Sequence, residues 1–447
     1  MKEVERGSSI RAFTRPKMAA LVFLGFASGL PFNLIGNGKA FQAWMTASGV
    51  DLTKIGLFSL VGLPYSLKFL WSPLLDRYVP PILGRRRGWL LVTQILLLIA
   101  IAVMSVHDPR TGLKALAVNA VLIAFFSASQ DIAGDAYRTD VLTDRELGAG
   151  AAIWVLGYRI ALLITGWLAF VLADRLSWGT VYLALSALML VGVVATVLAP
   201  NPPEREAPPK SLTEAVALPF RDFFGRVGPG LGIGVLLFIV LYKYSDALAG
   251  SMTTPFLLKT GFTQAEVGVV FGGAGLLATI AGSIVAGGAI ARFGLNKSLW
   301  LFAVFQSLSN LTYYGLAMAG RNHGYMVFAI AVENFGVGLV SSALVAYIMS
   351  MCNRRFSATQ FALLSSLVAA SRDILVAPGG KIAEAMGWPA FFLVTVAAGL
   401  PCILLLPFIA PWRSELPTGA FQRSDETLGG PEKSGEQGDP GTPAPGR

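Results

Sequence analysis

Apolar runs recur along this chain at close to the length a helix needs to cross a bilayer, roughly 20 residues. In lipid every backbone amide needs an internal partner, so runs of this kind fold as helices rather than as open sheet. Of the 447 residues, 54% are hydrophobic and only 14% are charged, where a water-soluble chain carries about a quarter charged residues. The mean hydropathy is +0.62. Twelve spans can be drawn, at roughly 17–46, 52–75, 88–106, 113–138, 148–173, 178–199, 229–258, 264–291, 298–319, 324–352, 358–382 and 387–410. The fold class is therefore an all-α polytopic membrane protein. Several spans exceed one bilayer thickness, which predicts tilt, kinks or extension beyond the membrane. The first is interrupted by GLPFNLIGNG, where Pro31 and three glycines oppose regular helix.

The other residue types narrow the function. Cys352 and Cys402 fall in or beside apolar segments with no paired spacing, and read as small buried hydrophobes. His107 and His323 are the only histidines, so a metal or histidine-based enzyme site is poorly supplied and no metal or cofactor is expected. The charged N-terminus has no small-residue cleavage site after its apolar run, so the first helix reads as a retained anchor. Most Lys and Arg outside the spans fall on the side of both termini, which places both termini in the cytoplasm. That bias accounts for the +9 net charge without nucleic acid; clusters such as Arg85, Arg86 and Arg87 suit anionic lipid.

The spans divide six and six around a cytoplasmic linker at 200–228. The linker opens with NPPEREAPPK, which resists helix, and continues into SLTEAVALPFRDFF, which suits a short amphipathic surface helix. The predicted domains are a cytoplasmic N-terminal segment (1–16), six-helix halves at 17–199 and 229–410, and a tail at 411–447. The tail's Gly, Pro and charge predict disorder. At an offset of 212, GVDLTKIGLF (49–58) faces GFTQAEVGVV (261–270), with glycines matched at both ends of the shared spacing. At an offset of 210, AYRTDVLTDR (136–145) faces AYIMSMCNRR (346–355). Two homologous halves favour a transporter that rocks about a central site.

The segment SPLLDRYVPPILGRRRG resembles an expanded form of the loop between helices 2 and 3 of the major facilitator superfamily, through Ser72, Asp76, Arg77, Gly84, Arg85 and Arg86. The second copy keeps Gly288, Arg292 and Gly294 but has Ala291 in place of the acid. Longer stretches narrow the resemblance. LGFASGLPFNL, FQAWM, KIGLFSLVGLPYSLKFLWSPLLDRYVPP, GRRRGWLLVTQILLL, FSASQDIAGDAYRTDVL, GAGAAIWVLGYR, DFFGR and FSATQFALLSSL together look like the anhydromuropeptide permease family, over most of residues 20–410. The chain departs from that pattern in GNGKAFQAW, which carries extra residues including Lys39, and at Arg138, where the family more often has Lys. The resemblance implies a twelve-helix major facilitator fold of two pseudo-symmetric six-helix halves in the bacterial inner membrane. It also implies inward carriage of N-acetylglucosaminyl-anhydro-N-acetylmuramyl peptides for peptidoglycan recycling, with a signal to β-lactamase induction in some bacteria. Protons, the ligand and the lipid bilayer are the expected partners of a monomer driven by the proton gradient.

Ionisable residues inside a membrane are costly and normally face a cavity or a partner. The basic residues read as lying within spans are Lys68, Arg159, Lys243 and Arg372; the acids are Asp131, Asp135, Asp246, Glu333 and Asp373. In the superfamily fold, helices 1, 4, 7 and 10 line the central cavity, and Asp131, Asp246 and Glu333 fall on helices 4, 7 and 10. On one helix Ser127, Asp131, Asp135 and Arg138 share a stripe about 80° wide. Two carboxylates beside one guanidinium can share and exchange a proton as a coupled pair, so Asp131, Asp135 and Arg138 are the candidate proton-coupling group. The plain alternative is a structural network, with Asp135 paired to Arg138 and Asp131 to a cation such as Arg159. Lys243 and Asp246, three residues apart, are placed to pair. Arg372 and Asp373 are adjacent and should serve different partners. Lys68, Arg159 or Arg372 suits a ligand carboxylate.

Asn33, Asn37, Gln42, Tyr65, Gln130, Tyr137, Tyr244 and Asn334 supply amides and aromatic faces for a sugar; Trp44 reads as an interfacial anchor. Asp76, Arg77, Arg85, Arg86, Asp140 and Arg145 are candidate gating residues. The remaining alternatives are a carrier of another amino sugar, peptide or acyl-coenzyme A, and a receptor that binds cell-wall fragments without moving them. No nucleophile–base set supports an enzyme.

Overall fold

The computed structural model of the protein describes residues 16–142, 147–202, 221–352 and 357–412. Among them are nine helices long and apolar enough to cross a membrane. They are Lys17–Ala47, Gly84–Met104, Leu113–Val141, Ile153–Ala173, Trp178–Leu198, Pro229–Lys259, Gln264–Phe293, His323–Met351 and Gly379–Ile409. The helical chain is interrupted within the expected spans 2, 9 and 11. Residues 52–77 are broken by 3-10 turns at Phe58–Gly62 and Lys68–Leu70, 295–319 by a junction at Asn310, and span 11 by a π turn at Ser371–Leu375. Gly387, at φ 75°, separates the end of span 11 from span 12. The expected tail from residue 413, residues 1–15 of the N-terminal segment and linker residues 203–220 lie outside the described residues; 221–227 is helical.

Span 1 breaks where Pro31 and the glycines predict. Regular helix ends at Gly29, a 3-10 turn covers Leu30–Leu34, and a new helix starts at Lys39. Gly38 is required there, because a Cβ would stand 2.4 Å from the Asn33 backbone. Span 7 also breaks, at Lys243 (φ −100°, ψ 0°), between Pro229–Tyr242 and Tyr244–Lys259. The helix opening each half is thus discontinuous, a common way to present backbone and side chains to a cavity within the membrane.

The offset of 212 is visible in the backbone. Ser48, Gly49 and Val50 donate to the carbonyls of Trp44, Thr46 and Met45; Thr260, Gly261 and Phe262 donate to those of Phe256, Leu258 and Leu257. Both glycines have positive φ, 75° and 99°, a conformation that favours glycine at a helix C-terminus. The second matched pair, Gly56 and Gly268, packs span 2 onto span 11 and span 8 onto span 5. A Cβ on Gly56 would lie 2.8 Å from the Ala377 carbonyl oxygen, and one on Gly268 would lie 2.6 Å from the Phe170 Cβ.

The contacts between the halves gather at one end of the bundle, the end where span 1 finishes. There Asn37 Nδ2 donates to the Arg372 carbonyl (2.7 Å), Gln42 Nε2 to the Ser251 carbonyl (2.8 Å) and Ser59 Oγ to the Asp373 carbonyl (2.9 Å). The Thr53 hydroxyl bonds Glu384, and the Ala265 amide donates to Asp174 Oδ2 at 3.2 Å. Apolar packing follows the same division. One core cluster joins both halves at this end, whereas toward the other end each half keeps its own, around Leu21 and Trp154 in the first and Phe238 and Tyr347 in the second. The bundle is closed at the end distal to the N-terminus and parted at the proximal end.

Candidate functional site

A cavity of about 760 Å³ lies between spans 1, 5, 8 and 10. Its wall runs from Trp167 and Phe271 in the distal half to Val155 and Val345 in the proximal half. Asn33, Lys39, Tyr158, Arg159, Thr279, Asn334 and Ser341 give it polar character. The volume fits a ligand larger than a single sugar.

The second half contributes a charged cluster behind this wall. Lys243 at the break in span 7 forms an ion pair with Asp246 and reaches Ser341 Oγ of span 10 at 3.2 Å. Glu333 is 6% exposed and Asp246 8%, and each carboxyl group lies in the field of the other. Asn334 Nδ2 donates to Glu333 Oε2 at 2.8 Å. Lys39 crosses from the first half, with its ammonium 3.0 Å from the centroid of the Phe271 ring and within the field of Glu333 and Asp246. Phe271 opens a π turn, Phe271–Gly275, an irregularity frequent at functional positions.

The first half contributes a separate group around Asp131. The Ser28 hydroxyl of span 1 bonds the Asp131 carboxylate, and Lys68, Arg372 and Asp135 act on it electrostatically. Tyr65 and Tyr158 lie in its field. Arg372 stacks on Phe32, its guanidinium carbon 4.7 Å from the ring centroid. A small pocket here, about 20 Å³, is lined by Asn37, Tyr65, Arg372 and Asp373 among others. Asp131, Tyr65, Lys68 and Arg372, scattered over spans 4, 2 and 11, are therefore brought together.

Other placements follow the plain structural alternative or differ from the sequence reading. Asp135 and Arg138 pair with each other at 3.1 Å, with side chains 54% and 27% exposed. They sit where span 4 emerges at the proximal end, and Arg138 lies 5.5 Å from the Trp154 ring centroid. Arg159 lines the large cavity rather than serving Asp131. Arg372 and Asp373 bond each other instead of serving different partners: the long Arg372 side chain reaches back to the carboxylate of its neighbour.

Gln42, Gln130, Tyr137 and Tyr244 do not line the large cavity. Gln42 closes the distal end, and the buried Tyr137 hydroxyl donates to the Pro200 carbonyl at 2.9 Å. Gln130 is 1% exposed, and neither amide atom has a partner. Tyr244 packs against the core. Of the gating candidates, Arg86 Nε bonds Asp140 Oδ2 at 2.8 Å within the first half. Arg85 opens span 3 in the helix Gly84–Met104. The side chains of Asp76 and Arg77, and all of Arg145, lie outside the described residues.

Sequence reasoning missed Lys39 as a cavity residue, although a lysine directly after GNG inside an apolar run is a signal. It also missed Ser28, which nothing in the pattern marks, and the aromatic wall of Tyr158, Trp167 and Phe271.

A helical bundle of two related halves that meet at one end and part around a polar cavity is the architecture of a transporter. The model of the Major Facilitator Superfamily matches residues 21–374. The chain is 50% identical over 399 residues to the anhydromuropeptide permease of Escherichia coli K12, covering 89% of this chain and 80% of that one. It is 32% identical to the putative transporter AmpG 4 of Rickettsia conorii, covering 89% and 98%. Among solved structures, the nucleoside transporter NupG superposes with a TM-score of 0.68 at 13% identity, over 87% of this chain and 99% of that one. A bacterial homologue of the lysosomal transporter Spinster, inward-facing and unoccupied, gives 0.63 at 15% identity, over 90% and 96%. The chain belongs to the Major Facilitator Superfamily and, within it, to the anhydromuropeptide permease family.

Proposed function

We propose that this protein carries anhydromuropeptides, N-acetylglucosamine linked to anhydro-N-acetylmuramic acid with or without peptide, from the periplasm to the cytoplasm by alternating access. The observation that carries the reading is the 50% identity with the E. coli anhydromuropeptide permease along 89% of the chain. The cavity supports it: about 760 Å³, with Trp167, Phe271 and Tyr158 as faces for sugar rings and Asn33, Asn334 and Ser341 as polar partners. With both termini in the cytoplasm, as the Lys and Arg bias favours, the parted end faces the cytoplasm and the molecule stands in its releasing state. The proton gradient drives the cycle, and Asp131 carries a proton. It is an intramembrane acid in contact with span 1 through Ser28 and within the field of Arg372 on span 11, so its charge state bears on how the halves meet. Delivery of these fragments serves peptidoglycan recycling and, where that circuit exists, β-lactamase induction.

The test is uptake of labelled N-acetylglucosaminyl-anhydromuramyl tripeptide into proteoliposomes with and without an inward proton gradient. Accumulation stimulated by the gradient is expected. Binding without flux would leave a receptor, and neither binding nor flux in folded protein would overturn the substrate.

A further inference from the structure

Two cations, Lys39 and Arg159, line the large cavity, and among the described residues no carboxylate lines it. Lys39 holds no ion pair among the described residues; its ammonium rests on the Phe271 ring. The buried acid pair of spans 7 and 10 acts on it electrostatically. Asp246 and Glu333 act on each other electrostatically, and two such carboxyl groups can share a hydrogen bond only once a proton is bound, since an ionised carboxylate is an acceptor alone. The groups facing this pair are Lys243 and Ser341 on one side, Asn334 beside Glu333, Tyr313 of span 9, and Lys39 from the other half. Two lysines thus stand against two acids, and Lys39 is the member of the set that also faces the cavity.

We propose that Lys39 is the receptor for a carboxylate of the transported ligand, and that when the ligand takes Lys39, the Asp246–Glu333 pair binds a proton. The inference rests on the reading of the protein as a muropeptide carrier and adds a second protonation site, in the half opposite Asp131. A ring face holds an ammonium weakly compared with a carboxylate, so ligand entry draws Lys39 off Phe271. Its charge is then matched by the ligand and no longer balances the buried acids. Lys243 alone faces two carboxyl groups, a second buried negative charge is costly, and one proton taken from water restores the balance. Loss of that proton draws Lys39 back toward the acids and releases the carboxylate. Lys39 spans the two halves, so the exchange also changes what links them during the cycle. Ligands with a free carboxylate are therefore selected over esterified ones.

The experiment is titration calorimetry of the detergent-solubilised full-length protein with N-acetylglucosaminyl-anhydromuramyl tripeptide, repeated in buffers of different ionisation enthalpy at pH 7 to count protons. The wild type should take up close to one proton per ligand bound. K39Q should bind at least tenfold more weakly with no proton uptake, K39R should restore both, and E333Q should bind with uptake lost. The tripeptide with its carboxylates esterified should bind the wild type at least tenfold more weakly, and K39Q should no longer discriminate the two ligands. Thermal unfolding of each variant establishes that it is folded. Binding by the wild type without proton uptake, or uptake unchanged in both K39Q and E333Q, overturns this inference alone. Failure of folded wild type to bind the tripeptide overturns the carrier reading and the inference with it.

Discussion

Arg372 and Asp373, neighbours in sequence, hold each other by two hydrogen bonds, Nε to Oδ1 at 2.9 Å and Nη2 to Oδ2 at 3.3 Å. Successive side chains on a regular α-helix diverge by about 100°, and here, in the π turn Ser371–Leu375, the long Arg372 side chain bends back across that angle to reach its neighbour. The same turn is gripped from the other half. Asn37 of span 1 bonds the Arg372 carbonyl and Ser59 of span 2 bonds that of Asp373. An irregular point in span 11 thus becomes the seam between the halves.

Gly62 fixes how closely span 2 approaches this seam. A Cβ there would stand 2.4 Å from the Asp373 carboxyl carbon, inside any tolerable contact, so Gly62→Ala must displace the Arg372–Asp373 pair or part the spans. Overpacking of this kind costs about 1–3 kcal/mol. Thermal unfolding of the purified variant should fall accordingly, and transport should drop below a tenth of wild type. A variant with unchanged unfolding and uptake would mean that spans 2 and 11 do not pack this closely in the bilayer.

The distal end must open once per cycle if access alternates. Thr53 and Glu384 bond across it, and both native cysteines are free and replaceable. In a background with Cys352 and Cys402 changed to Ser and Ala, Thr53→Cys with Glu384→Cys should be joined by a short thiol cross-linker. The joined protein should lose uptake at least tenfold and recover it when the link is reduced. Full uptake by quantitatively joined protein would show that this end does not open.

Much of the scaffold is written in hydropathy: the broken first span in Pro31 and its glycines, and the duplication in Gly49, Gly56, Gly261 and Gly268. The breaks at Lys243 and Arg372 carry no local signal, since LYKYSD and ASRDIL contain neither Pro nor Gly, whereas the π turn at Phe271 falls on FGGAG, whose glycines supply one. A helix apolar on every side also does not declare which face meets the cavity and which meets a neighbour. Residue type alone therefore points Gln42, Tyr137 and Tyr244 at a ligand they do not face, while Asn33, Arg159 and Asn334 do reach the cavity wall. Lys39 stands out in GNGKAFQAW as a departure from the family pattern, but nothing in the sequence points it at the cavity.

At the proximal end, Arg86 and Asp140 tie the start of span 3 to the end of span 4, with side chains 16% and 19% exposed. A partly buried, charge-assisted hydrogen bond of this kind contributes about 1.5–3 kcal/mol. Arg86→Gln and Asp140→Asn should each lower thermal stability, and the double variant should be little worse than either, because the second change removes a contact already lost. Additive losses would show that the two side chains act independently.

Asp131 and Asp135 share one stripe of span 4 but not one environment, and their asparagine variants should separate accordingly. Asp135 is more than half exposed and paired to Arg138 one turn away; an exposed pair of that spacing contributes about 0–1 kcal/mol. Asp135→Asn should therefore keep more than half of gradient-driven uptake. Asp131 has no such solvent, being bonded to Ser28 of span 1 and faced by the charges of Lys68 and Arg372. Asparagine there keeps the shape and the hydrogen bond to Ser28 but removes the titration. Asp131→Asn should bind ligand within about threefold of wild type, exchange it down a concentration gradient, and lose at least tenfold in accumulation driven by a pH gradient. Equal losses from both variants would make the two acids one coupled unit after all. Unchanged gradient-driven uptake in Asp131→Asn would move the proton to the second half, where Glu333→Asn or Glu333→Gln becomes the variant that uncouples.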